Sequence, residues 1–272
     1  MKFETVHGIT LPKIGFGCWT IGGEATADPS QDERSLAALR SALALGYTHF
    51  DTAEYYAAGH SEELLGQAIR QAGLPRQAVF ITSKVSPNHL SYDDVLRSCE
   101  NSLRRLGTDY LDLYLIHWPE RHMNLPETFR ALNRLVREGK VKHLGVSNFN
   151  LKLLQAACAL SETPLLTNQV PYSLPDRSYV KNGVLDYCQK NDILLTAYSP
   201  VKSRFFKGKK LAEFARQRGV TPFQVGLAWL VHQPRVITIP TSFNPQHQAE
   251  NLAAAELMLT DDEMAFLNGL AE

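Results

Sequence analysis

The sequence is poor in the features that mark secreted, membrane-spanning or nucleic-acid-binding proteins. Its 272 residues hold four cysteines, Cys18, Cys99, Cys158 and Cys188, scattered without CxxC spacing. That scatter argues against a disulfide frame and for reduced thiols in the cytoplasm. Every apolar run falls far short of the ~20 residues needed to span a bilayer, so no membrane association is expected. Residues 1–8 contain no apolar signal region. Basic and acidic residues number 28 each and cancel, which leaves no bulk field to attract nucleic acid. The nine histidines show neither HExxH nor paired metal-ligand spacing, and no metal is expected.

What remains is a chain that is 44% hydrophobic and long enough for one large core. Residues 2–6 and 9–13 flank His7-Gly8 and read as a β-hairpin. Strand patterns follow at 14–17, 48–51, 79–84, 111–117, 141–147, 165–170, 193–199 and 236–240. Several are apolar on both faces, as parallel strands covered by helices are. Helix signals fall between them. Ser30-Gln31-Asp32-Glu33 reads as a capping box ahead of Leu36, Leu39 and Leu43, with Gly46 as the stop. Ser91 starts another helix, which closes on Arg104, Arg105 and Gly107. Thr221-Pro222-Phe223-Gln224 starts a third, and 261–270 a last one after Thr260. Eight strands alternating with helices predict a single (β/α)8 TIM barrel domain over 1–272, with an N-terminal hairpin and a short C-terminal helix. A doubly wound sheet is the rival fold. Gly15-Phe16-Gly17-Cys18-Trp19-Thr20, at the first strand–helix junction, lacks the GxGxxG spacing that fold uses for a pyrophosphate.

Polar groups close these strands. Asp51, Lys84 and His117 end three of them at intervals of 33 residues, and Tyr56 lies five positions after Asp51. Any one alone is commonplace: a helix-capping Asp, a rim Lys, a satisfied core His. In matching register they gather on one barrel face, the face where catalytic groups sit. A phenol, an ammonium, a carboxylate and an imidazole together make a proton-donating site.

At these residues the chain resembles the aldo-keto reductase family, its small bacterial members in particular. The resemblance runs through Asp51-Thr52-Ala53-Glu54-Tyr55-Tyr56, Ile81-Thr82-Ser83-Lys84, Leu115-Ile116-His117-Trp118-Pro119 and Gly145-Val146-Ser147-Asn148-Phe149. It continues through Thr167-Asn168-Gln169, Ala197-Tyr198-Ser199-Pro200 and Ile237-Thr238-Ile239-Pro240 to Glu250-Asn251. It implies an NAD(P)H-dependent oxidoreductase that reduces aldehyde or ketone carbonyls of small substrates. Tyr56 would be the general acid, with Lys84 lowering its pKa by stabilising phenolate. Asp51 would keep Lys84 charged. His117 would orient the carbonyl and contribute to proton transfer. Ser147, Asn148 and Gln169 would grip the nicotinamide carboxamide and Tyr198 would stack on the ring. Ser199 and Pro200 would begin the loop near the pyrophosphate. Ser242, Glu250 and Asn251 would complete the cofactor site, and Trp19, Tyr55 and Trp118 would wall the carbonyl pocket.

Thr241 and His247 stand where NADPH-preferring members usually carry lysine and arginine. Losing two cations from a phosphate subsite weakens discrimination, so NADPH with NADH as a second cofactor is expected. Lys202, Arg204, Lys207, Lys209 and Lys210 form a basic loop that is either a solvated charge run or a phosphate contact. The chain ends at Glu272 without the long tail of many members, which predicts an open, shallow pocket for small aldehydes and dicarbonyls. A cytoplasmic monomer is also expected. Two other functions remain open: a cofactor-sensing regulatory protein on the same barrel, and, third, a barrel hydrolase or isomerase.

Overall fold

The computed structural model describes residues 2–202 and 204–270. β1 (Phe3–Val6) and β2 (Ile9–Pro12) form the antiparallel hairpin. His7 at φ 48° and Gly8 at φ 77° make its turn, two successive left-handed residues of the kind that match the twist of hairpin strands.

Eight parallel strands follow and pair in chain order: β3 (Phe16–Gly17), β4 (His49–Asp51), β5 (Phe80–Val85), β6 (Leu111–Ile116), β7 (Val141–Ser147), β8 (Leu165–Pro171), β9 (Leu194–Tyr198) and β10 (Val236–Thr238). A parallel bridge between Ile14 and Thr238 closes the ring. There Gly15 N donates to Thr238 O at 2.8 Å and Thr238 N to Lys13 O at 2.9 Å. Helices among the described residues are α1 (Asp32–Ala44), α2 (His60–Gln71), α3 (Tyr92–Leu106), α4 (Leu125–Arg137), α5 (Leu151–Leu160), α6 (Ser178–Lys181), α7 (Val184–Lys190), α8 (Lys209–Gln217), α9 (Pro222–Val231), α10 (Pro245–Ala254) and α11 (Asp261–Gly269). None is long and apolar enough to cross a membrane. The architecture is a (β/α)8 barrel.

Strand alternation splits the core in two. Leu113 and Leu115 point inward and pack with Leu166, Leu194, Ile237 and, from the hairpin, Val6 and Leu11. Their neighbours Tyr114 and Ile116 point outward and join Val95, Phe129 and Leu132 of the helices. Inner positions are Asp51, Thr82 and Leu113 at one level of register, then Lys84 and Leu115 at the next. From Asp51 to Lys84, and again from Lys84 to His117, the chain steps one strand sideways and two residues onward. That stagger offsets strand tilt, so a spacing of 33 brings the three groups to one mouth.

Thr221 and Thr260 form capping boxes with Gln224 and Glu263, and Ser91 accepts from Asp94 N. The expected box at Ser30 is corrected. Ser30 sits in a 3-10 turn at Pro29–Gln31, capped by Asp28, and α1 begins at Asp32 with no side-chain cap. Asp28 captures both Ser30 N at 3.1 Å and Ser30 Oγ at 2.5 Å, because a carboxylate outcompetes a hydroxyl as acceptor. Arg104 and Arg105 close the last turn of α3 as expected, and Arg105 also pairs with the fully buried Glu62 at 2.6 Å.

Candidate active site

Lys84 is completely buried on β5. Its ammonium donates to Asp51 Oδ1 at 2.5 Å, Thr52 O at 2.8 Å and Tyr56 Oη at 3.1 Å. Three acceptors satisfy all three N–H groups, the condition under which a cation tolerates an apolar interior. Burial opposes the charge, but Asp51 and Tyr56 outweigh it and the Lys84 pKa rises. The second Asp51 oxygen accepts from Gln169 Nε2 at 2.7 Å. His117 lies over this cluster, its ring centroid 5.4 Å from that of Tyr56.

One pKa direction corrects an expectation and another sets a protonation state. Burial raises the Tyr56 pKa, and the lowering by Lys84 does not overcome it. The phenol is therefore a protonated donor in the free protein, with Lys84 reducing the cost of its ionisation. His117 is pushed down to about 2 by burial and by Lys84, so its imidazole is neutral at pH 7. Its Nδ1 is buried without a partner.

Tyr56 opens a 3-10 turn in which Ala57 (φ 50°), Ala58 (φ 53°) and Gly59 (φ 94°) are all left-handed. Asn148 (φ 62°) and Ser199 (φ 51°) take the same unusual backbone just past β7 and β9. Strained residues of this kind gather where geometry is imposed for function.

A cavity of about 900 Å³ opens over the cluster, at the large end of the ~300–1,000 Å³ typical of ligand pockets. Of the four expected catalytic residues, Lys84 alone does not reach its wall. The other catalytic candidates line it, as do Trp19, Tyr55 and Trp118. Trp19 and Tyr55 stack with parallel rings at 6.3 Å, and Trp118 meets Tyr55 edge-on at 5.3 Å. Ser147, Asn148, Gln169, Tyr198, Ser199, Pro200 and Lys202 continue the wall to Thr241, Ser242, His247, Glu250 and Asn251. Arg204, Lys207, Lys209 and Lys210 of the basic loop do not line it.

The polar groups on this wall are already interlinked. Asn148 Nδ2 donates to His117 O and Ser147 Oγ, and Asn148 Oδ1 accepts from the Tyr198 hydroxyl at 2.9 Å. Gln169 commits its amide N–H to Asp51, which leaves its Oε1 as the group free to accept. Thr241 Oγ1 donates to Gly17 O at 2.7 Å.

Sequence reasoning passed over Gly17, Thr20, Glu24, Val201, Phe223 and the Ile239–Pro240 pair, all on the cavity wall. Their signals appear only in the fold: a Cβ on Gly17 would sit 2.5 Å from Ile239 O, and Phe223, in the first turn of α9, stays 42% exposed.

With this geometry in place, comparison with known proteins is decisive. The aldo/keto reductase family model matches residues 13–272. The chain belongs to the aldo/keto reductase family. It is thus an NAD(P)H-dependent oxidoreductase. It is 36% identical to methylglyoxal reductase YeaE of Escherichia coli (strain K12) over 267 residues, 96% of this chain and 91% of that protein. A crystal structure of a thermostable aldo-keto reductase with the inhibitor epalrestat superposes with a TM-score of 0.95 at 45% identity, covering 99% of this chain and 100% of that one. An aldo/keto reductase from Klebsiella pneumoniae in complex with NADP and acetate gives a TM-score of 0.90 at 37% identity, covering 99% and 95%.

Proposed function

We propose that this aldo/keto reductase converts small aldehydes, ketones and dicarbonyls to alcohols, with Tyr56 as the proton donor. The observation that carries the reading is the Lys84 ammonium fixed between the Asp51 carboxylate and the Tyr56 hydroxyl. A relative that acts on methylglyoxal and a neighbour that holds NADP support a small carbonyl substrate and this cofactor. The donor set also fits a dinucleotide. Gln169 Oε1 and the Asn148 and Ser147 groups lie at one part of the wall, the Tyr198 ring beside them, and Lys202 and His247 farther along it.

The nicotinamide, when bound, supplies hydride to the carbonyl carbon. As the C=O π pair moves onto oxygen, the Tyr56 O–H delivers the proton and leaves a phenolate. Lys84, 3.1 Å from that oxygen, stabilises the phenolate in proportion to its charge, so its effect grows through the transition state. Asp51 and Thr52 O hold the ammonium in place. His117, being neutral, orients the carbonyl oxygen with a hydrogen bond and carries no net proton. Trp19, Tyr55 and Trp118 exclude water from the reacting atoms. All four reacting groups come from one chain, acting as one barrel domain, so the mechanism suits a monomer. Four free cysteines suit a reducing cytoplasm.

Loss of nicotinamide absorbance with methylglyoxal tests the activity. Tyr56→Phe removes the transferable proton with little change of shape, and turnover should fall at least a hundredfold while cofactor still binds. Tyr55→Phe should retain turnover and change substrate affinity at most. Equal loss in both variants defeats the assignment of Tyr56.

A further inference from the structure

Apart from its tyrosines, six titratable side chains line the cavity: Glu24, Asp51, His117, Lys202, His247 and Glu250. Five are accounted for. Asp51 is neutralised by Lys84 at 2.5 Å, and His117 is uncharged. Lys202 follows β9, and His247 and Glu250 sit on α10, where Glu250 accepts from Gln246. Glu24 is left over. Its carboxylate is exposed and has no hydrogen bond or ion pair among the described residues.

Glu24 is held beside the aromatic pocket. Ala57 N, directly after Tyr56, donates to Glu24 O at 2.6 Å. The same loop carries Trp19, which stacks on Tyr55. Two cations that share a cavity with its neighbour Ala25 are already engaged. Arg97 and Arg105 line a separate cavity beyond Tyr55, and each is paired, with Asp94 and Glu62. The carbonyl end of the site therefore has one uncompensated charge, and it is negative.

Building on the carbonyl reductase reading above, we propose that Glu24 is a specificity-determining residue that turns away anionic carbonyl compounds. Keto acids and carboxylate-bearing aldehydes are disfavoured, and neutral aldehydes and dicarbonyls are preferred. A carboxylate on the substrate meets a like charge in a pocket whose aromatic walls displace water, which strengthens the repulsion.

The test uses a matched pair, 4-carboxybenzaldehyde and the methyl ester of the same acid, which differ in charge at one position far from the aldehyde. Taking kcat/KM for acid over ester cancels their intrinsic reactivity. Glu24→Gln should raise this ratio by about five- to tenfold, the scale of one unit-charge repulsion over several ångströms in a half-solvated pocket. Glu24→Lys should raise it further. The wild-type bias should shrink in ~0.5 M salt, as screening requires. A ratio that moves less than twofold in both variants overturns the proposal. So does a Glu24→Gln protein that tightens NADPH while shifting acid and ester equally, because the carboxylate would then act on the cofactor. If wild-type protein binds NADPH yet reduces neither aldehyde, the carbonyl reductase reading falls, and this inference falls with it.

Discussion

Asp51 divides its carboxylate between two donors, Lys84 on one oxygen and Gln169 on the other. The carboxylate paired with the buried ammonium is thus tied to a residue of the proposed cofactor wall. Farther along that wall the chain departs from its family. Thr241 uses its hydroxyl on Gly17 O, and His247 stands where NADPH-preferring members usually carry arginine. We expect both NADPH and NADH to be used, with NADPH modestly preferred. Thr241→Lys with His247→Arg should tighten NADPH at least tenfold. Each charge-assisted bond to phosphate contributes about 1.5–3 kcal/mol, against roughly 1 kcal/mol for the lost Thr241 bond. NADH, lacking the 2′-phosphate, should change less than threefold. Fluorescence titration of both cofactors checks each point. A preference beyond a hundredfold that ignores the added cations would place the missing charge elsewhere, with Lys202 the first suspect.

The turn after β4 carries the most strain per residue. Ala57 and Ala58 are left-handed without being glycine, at roughly 1–2 kcal/mol each. Ala58 is exposed, so its methyl contributes little packing. Ala58→Gly should raise stability by about 0.5–1 kcal/mol, the relief of strain less the added freedom of the unfolded chain. Turnover should fall severalfold as Tyr56 gains room to move. Urea denaturation and kcat measure the two effects; a variant that gains stability at full turnover would show that the strain does not position Tyr56. This turn also marks where sequence reading stops. Strand order, the hairpin, the Thr221 and Thr260 caps and the inward register of Asp51, Lys84 and His117 were legible, because each depends on local pattern or period. The left-handed alanines were not, since nothing local favours them and tertiary contacts impose them. Glu24 was invisible for a related reason. Residues 18–31 have no periodicity, so their place over the mouth follows from the Ala57–Glu24 bond and not from any motif. Lys84 lowering the Tyr56 pKa had the right sign and the wrong outcome, because the depth of burial that opposes it is a property of the folded barrel.

Across the whole molecule, buried neutral histidines set the response to acid. Burial pushes His49 down to about 4, and burial with Lys84 pushes His117 down to about 2. Both folded values lie below the ordinary value near 6.5, so the unfolded chain binds more protons under acid. Their contribution is full above pH ~6.5 and is lost as pH falls toward the folded values. His60 acts oppositely. Burial lowers its pKa, but bonds to Glu63 and Asp32 prevail and raise it, so its contribution fades as pH rises above that value. Between pH ~6 and ~4.5 the two buried rings dominate, with the half-buried His143 adding to them and the raised Glu62 opposing them, and unfolding free energy should drop by about 2 kcal/mol per pH unit. His49→Gln should make that slope shallower by up to half. Urea midpoints at several pH values test this, and a flat profile would contradict the buried neutral assignment. The far end of the barrel has a consequence of its own. Hairpin residues Val6 and Leu11 fill the interior from below. Lys13, Glu4, Arg235 and Asp192 are linked around them by contacts of 2.7, 2.7 and 2.5 Å. With that end corked, reactant and product share the mouth above Asp51 and Tyr56. An alcohol lingering at this doorway should hold back the next aldehyde.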